Sequence, residues 1–166
     1  MGAGAPEVWL RGPLPGYTPV LLPVAQALLQ AREDVERVAA GATTEELWRR
    51  PGQAAAAGYH LQHLAGSLDR LLTYARGEPL SESQRAALAQ EGSPGAPSSI
   101  LVPAVQAQID RALEQLRLTS AESLAESREV GRARLPSTVL GLLFHAAEHT
   151  SRHVGQFITT VKAVRG

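Results

Sequence analysis

The sequence predicts an all-α protein: a four-helix bundle with two short extra helices in its connections. Three observations predict it. Apolar residues recur at helical spacing in four long stretches, capping signatures open short segments between them, and strand-like alternation is hard to find. At 166 residues the chain is long enough for one well-buried core and short for two domains. We divide it into an N-terminal arm, residues 1–17, and a single helical domain, residues 18–166.

The arm is rich in Gly and Pro and has no cationic region followed by a continuous apolar run, so it does not read as a signal peptide. The first long helix is expected over residues 18–40, where Leu21, Val24, Leu28, Val35 and Val38 fall near helical spacing. Pro19 and Pro23 belong in its opening turns, and Gly41 ends it. Thr43-Thr44-Glu45-Glu46 resembles a capping box opening a short helix as far as Arg50. A second long helix fits residues 55–76, with Leu61, Leu64, Ala65, Leu68, Leu71, Leu72 and Ala75 as its stripe and Gly77 as its C-terminal cap.

Ser81 and Gln84 form another capping signature, before a short helix to about Gln90. EGSPGAPSS is a loop by composition, with Ser98 or Ser99 available to start the third long helix. That helix carries Ile100, Val105, Ile109, Leu113 and Leu116 and ends near Leu118. Residues 119–135 look irregular apart from a turn around residues 121–124, and Pro136 sits at the expected start of a last long helix running to Val164. The connection between the second and third long helices is long, which suggests that it covers something or meets a partner.

The 16 basic and 16 acidic residues cancel, so net charge gives no pointer to nucleic acid or an anionic membrane. No stretch of 18 or more apolar residues occurs, and a soluble cytoplasmic protein is the default expectation. Cysteine is absent, which excludes disulfides, a thiol nucleophile and thiolate metal ligands. Any metal must be held by imidazole, carboxylate or water.

All five histidines lie in two clusters, YHLQH at residues 59–63 and HAAEHTSRH at residues 145–153. On the last helix His145, His149 and His153 recur every four residues, slightly more than one turn. With the apolar stripe centred on Leu143, His153 lies about 80° from it, His149 about 120° and His145 about 160°. Positions four apart are about 6 Å apart along the helix, close enough for two imidazoles to share an ion, whereas His145 and His153 are about 12 Å apart. The core-proximal pair, His149 and His153, can therefore meet a third ligand from a neighbouring helix. A lone histidine at a core boundary is usually just a polar residue with a satisfied hydrogen bond, and the second cluster is what favours a metal site. Between His60 and His63 the helical wheel prefers His60, at about 80° from its own stripe against about 140°, but does not settle the choice.

GYHLQHLAGSLDRLLTYARGEPLSESQ followed by LPSTVLGLLFHAAEHTSRHVGQ resembles the DinB-like superfamily of four-helix bundles that bear a three-histidine metal site. The carrying motifs are a His-Leu-Ala step, here His63-Leu64-Ala65, and an H-x-x-x-H-x-G-Q ending, here His149, His153, Gly155 and Gln156. The likeness runs from about Leu21 and leaves the arm outside. It implies His63, His149 and His153 as ligands of a divalent ion, zinc or nickel. Characterised branches are similar in being thiol S-transferases that use bacillithiol or isomerases that use mycothiol.

The resemblance thus implies a metal-dependent enzyme, a thiol-dependent S-transferase, with a small-molecule substrate and a low-molecular-weight thiol as cosubstrate. Three imidazoles with one open position are the pattern of a catalytic site. A metal-assisted hydrolase, or a non-catalytic metal-binding bundle serving as an interaction module, remain alternatives. Gln156, three residues after His153, faces the same general side and is a candidate to orient it or a bound water. Glu148 points the wrong way on the wheel. Asp69 and Arg70 suggest a surface or interhelical ion pair, with Arg70 also a candidate for holding an anionic substrate, and Tyr59 and Tyr74 are candidate pocket walls. Neither nucleic acid nor membrane is an expected partner, since there is no basic helix face and no acidic triad. A homodimer is expected because small bundles often share an apolar helix face, although the sequence does not indicate which.

Overall fold

A computed structural model describes residues 5–166. Six α-helices form in chain order: α1 (Leu22–Ala39), α2 (Thr44–Trp48), α3 (Ala57–Ala75), α4 (Glu82–Gln90), α5 (Ser98–Leu118) and α6 (Val139–Arg165). The four long ones make the bundle. α1 packs on α5 and α6, and α3 packs on the same two, so α1 and α3 stand on opposite sides. The fold is all-α apart from one small hairpin.

The helices begin and end for identifiable reasons. Pro23 occupies the opening turn of α1, where no intrahelical partner is needed for its missing N–H. Thr43 caps α2 and Ser81 caps α4, each in a reciprocal capping box with Glu46 and Gln84. Gly77, at φ 77°, follows the last turn of α3 in the left-handed conformation that glycine adopts without a Cβ clash.

The apolar stripes meet in one core. Leu28 and Val35 of α1, Leu61, Leu64 and Leu68 of α3, Val105, Ile109 and Leu116 of α5, and Leu143 and Phe157 of α6 are almost wholly removed from solvent. Each such side chain contributes about 1.5–3 kcal/mol relative to exposure. These residues fix the rotation of each helix about its axis, and with it the direction of every polar side chain on the flanks.

One segment departs from expectation. Residues 127–138 form an antiparallel hairpin, β1 (Ser127–Val130) with β2 (Leu135–Thr138). Pro136 therefore belongs to β2, opposite Glu129, and not to the start of the last helix. That helix begins at Val139, where the Thr138 hydroxyl accepts the Gly141 N–H. Strands of four residues with Pro at the edge give too short an alternation to be read from sequence.

The described part of the arm lies along α1. Val8 is buried and its N–H donates to Gln30 Oε1 at 2.9 Å, while Arg11 bonds both carboxylate oxygens of Glu33. The first four residues of the arm lie outside the described part. Among the described residues no helix is long and apolar enough to cross a membrane.

Candidate metal centre

Packing of α3 against α6 builds the site. The first turn of α3 is clamped by Trp48, whose indole lies where a Cβ on Gly58 would stand, 2.8 Å from two ring carbons. The same indole N–H donates to the Ala96 carbonyl at 2.9 Å. With Leu61, Leu64 and Leu68 turned to the core, His60 and His63 fall on the flank of α3 that faces α6. On α6, Ala146, Thr150, Val154 and Phe157 face inward, so His149 and His153 stand one turn apart on the flank towards α3.

His63, His149 and His153 converge. Each offers a ring nitrogen, and these three atoms lie within 4.8 Å of one another. Ring centroids are 4.5 Å apart for His63 and His153, 4.6 Å for His149 and His153, and 5.2 Å for His63 and His149. All three are half-buried. A group of this geometry could hold a metal ion.

Every ring of the trio also has an Nδ1 partner. His63 Nδ1 is 2.7 Å from a Glu91 carboxylate oxygen. His149 Nδ1 is 3.3 Å from Ser67 Oγ, and that hydroxyl itself donates to the Leu64 carbonyl. His153 Nδ1 is 3.1 Å from His60 Nδ1. A carboxylate only accepts, and Ser67 has already used its proton, so both His63 and His149 donate from Nδ1 and keep the lone pair on Nε2. The His60–His153 contact admits either direction.

Burial, then the charge of His63, pushes the pKa of His60 and His149 below the ordinary histidine value. The same causes, with His149 next, bring His153 down to about 4. These three imidazoles are thus neutral at pH 7, the state in which a ring nitrogen can bind a metal. The donor set, ring nitrogen from three histidines, suits a transition metal better than magnesium or calcium.

Other expectations are placed differently. His60 is buried beneath His153 and outside the trio, against the wheel's preference for it. His145 is exposed and pairs with Glu148 at 3.4 Å, and Glu148 is also bonded by Arg152. Gln156 is exposed on α6 and does not orient His153, whose neighbour is His60. Asp69 and Arg70 do not pair with each other: Asp69 accepts from Gln84, and Arg70 binds Glu91. With its side chain 12% exposed and its charge met by Glu91, Arg70 supports the site and is not open to a substrate anion. Tyr59 stacks on His63, the planes 10° apart at 5.6 Å. Ser67 and Glu91 were not foreseen. Ser67 had a signal, since it follows His63 by four residues on the same helix; Glu91, at the edge of a loop, had none.

A helical bundle with three converging imidazoles on two of its helices defines a class of protein, and the sequence assigns the chain within it. The sequence model of the DinB superfamily matches residues 27–157, a span that includes all three histidines, and the chain belongs to that superfamily. A crystal structure of a conserved protein from Enterococcus faecalis superposes with a TM-score of 0.75 at 20% sequence identity. The match covers 90% of this chain and 99% of that one. No curated protein matches the chain.

Proposed function

We propose that the protein is a metal-dependent enzyme that holds one zinc or nickel ion through His63, His149 and His153 and transfers a low-molecular-weight thiol to a small electrophile. The observation that carries this reading is the trio itself: three half-buried imidazoles whose nitrogens lie within 4.8 Å, a set that leaves a tetrahedral ion one open position. When bound, the ion supplies Lewis acidity, lowering the pKa of a thiol or water so that a nucleophile exists near neutral pH.

The chain's own residues prepare the place. Glu91, Ser67 and His60 contact Nδ1 of the three rings, and Tyr59 covers one face of His63. The α4–α5 loop is tied to α3 by two bonds of Gln62, which accepts the Gly92 N–H and donates to the Ser93 carbonyl, closing one flank. The three histidines keep partial exposure, the access a substrate would need. With no cysteine in the chain, the thiol must arrive as a cosubstrate. A reduced thiol as cosubstrate places the protein in the cytoplasm on this reading.

The test is a screen of the zinc- or nickel-loaded protein with bacillithiol, mycothiol and simpler thiols against an aryl halide. Thioether formation with halide release, dependent on metal and lost in His63→Ala, supports the transferase. Metal-dependent ester hydrolysis with no thiol requirement would replace it with a hydrolase. Metal binding with neither reaction would point to an interaction module.

A further inference from the structure

Glu91 occupies a position that asks for explanation. It caps the C-terminus of α4, and its side chain is 11% exposed, an expensive setting for a carboxylate without partners. It has two. One oxygen accepts from His63 Nδ1 at 2.7 Å, and the other binds the Arg70 guanidinium. The loop that follows needs neither bond to stay in place, since Gln62 and Trp48 already tie it to the body of the protein.

The surface beneath Glu91 is cut to receive it. His63, Gly66 and Arg70 stand at i, i+3 and i+7 on α3 and so form one ridge. A Cβ on Gly66 would lie 2.2 Å from Glu91 Oε1 and 2.8 Å from Arg70 Nη1. Any residue larger than glycine in the middle of that ridge would strike the Glu91 oxygen that binds Arg70 and force the carboxylate to shift from its place beside His63. Glycine in a helix interior costs stability relative to alanine, so its presence here is compensated by what it lets in.

We propose that Glu91 is a positioning residue for the histidine trio: bridged to Arg70 across the bare backbone at Gly66, it fixes the tautomer and rotation of His63 so that Nε2 points at the shared centre. The inference rests on the reading of the trio as a metal site, and its first readout does not need the metal. A carboxylate behind a metal-binding histidine orients the ring and raises its basicity, and losing such a partner typically costs about 10- to 100-fold in metal affinity.

Gly66→Ala is the sharpest variant. It displaces the carboxylate without deleting it, the atoms it strikes are the ends of flexible side chains, and it improves helix propensity. Glu91→Gln is its companion. In metal-free protein at mildly alkaline pH, long-range 1H–15N spectra of the imidazoles should show His63 as the Nδ1–H tautomer, shifting towards Nε2–H in both variants. Titration with Co2+ and Zn2+ should show one ion per chain throughout, bound about 10- to 100-fold more weakly in the variants. The visible Co2+ bands should also be altered, and the thermal midpoint of metal-free Gly66→Ala should be no lower than wild type.

A wild-type His63 found as Nε2–H overturns the proposal. So does unchanged tautomer and affinity in both variants, or an affinity loss matched by an equal loss of stability. If wild type takes up neither ion, the metal reading fails, and the tautomer result decides the role of Glu91 alone.

Discussion

His60 Nδ1 lies 3.1 Å from His153 Nδ1, so the two rings share a single proton between them. If His153 is to present Nε2 to an ion, that proton belongs to His153 and His60 accepts. His60, the histidine that simple periodicity favours as a ligand, then serves as the hydrogen-bond acceptor behind His153. His60→Ala is expected to keep one ion per chain but weaken its binding by about 10- to 100-fold, measured by competition with a chromophoric chelator. Complete loss of stoichiometric binding in His60→Ala would make it a ligand.

His145 continues the same ridge of α6 but has no place in the trio. Its side chain is 49% exposed, and its polar neighbour is Glu148. His145→Ala should bind metal as wild type does by the same assay. A loss equal to that of His149→Ala would make His145 a ligand.

Two helical glycines should respond to alanine with opposite signs. At Gly58 the new methyl meets the Trp48 ring at 2.8 Å, and the ring is held by its bond to Ala96, so crowding should cost about 1–3 kcal/mol. At Gly155 no neighbouring atom lies within 4 Å, and alanine should add about 0.5–1 kcal/mol through helix propensity. Urea unfolding of the two variants measures both. A Gly58→Ala protein as stable as wild type would contradict the packing described for the start of α3.

Stability of the metal-free protein should fall with pH across the histidine range. Burial and neighbouring charge hold folded His153 at about 4 and lower His60 and His149 as well, while the unfolded chain returns to the ordinary 6.5. Between those values the unfolded state binds more protons, so stability declines as pH drops from about 6.5 and the contribution of His153 levels off below about 4. Carboxylates such as Glu33 and Glu46, whose pKa values are lowered by Arg11 and by the Thr43 N–H, act below their ordinary 4.5. The urea midpoint followed from pH 7 to 5 should therefore decrease, and less steeply in His153→Asn. A flat midpoint, or one indifferent to His153→Asn, would contradict the burial described for this ring.

The bundle was legible because its signals are local and repeated. Capping at Thr43 and Ser81, the stop at Gly77 and the stripes of α3 and α6 all act within a few residues. The α6 pair was legible for the same reason, since four-residue spacing and a core-facing stripe together fix direction. His63 was not. It stands on a flank that the wheel of α3 alone turns from the core, and only packing against α6 brings it to His149 and His153; the family motif supplied what periodicity lacked. The hairpin around Pro136 and the approach of Glu91 to His63 depend on contacts between segments distant in sequence, which carry no periodic mark.

The measurement that bears most directly on the metal centre is elemental analysis of the purified, untagged protein beside His63→Ala and His149→Ala. One divalent ion per chain in wild type, absent from both variants, is the expected result. No ion after incubation with zinc or nickel and removal of the excess, or an ion retained in both variants, would contradict it and leave the histidines as a polar seam between α3 and α6.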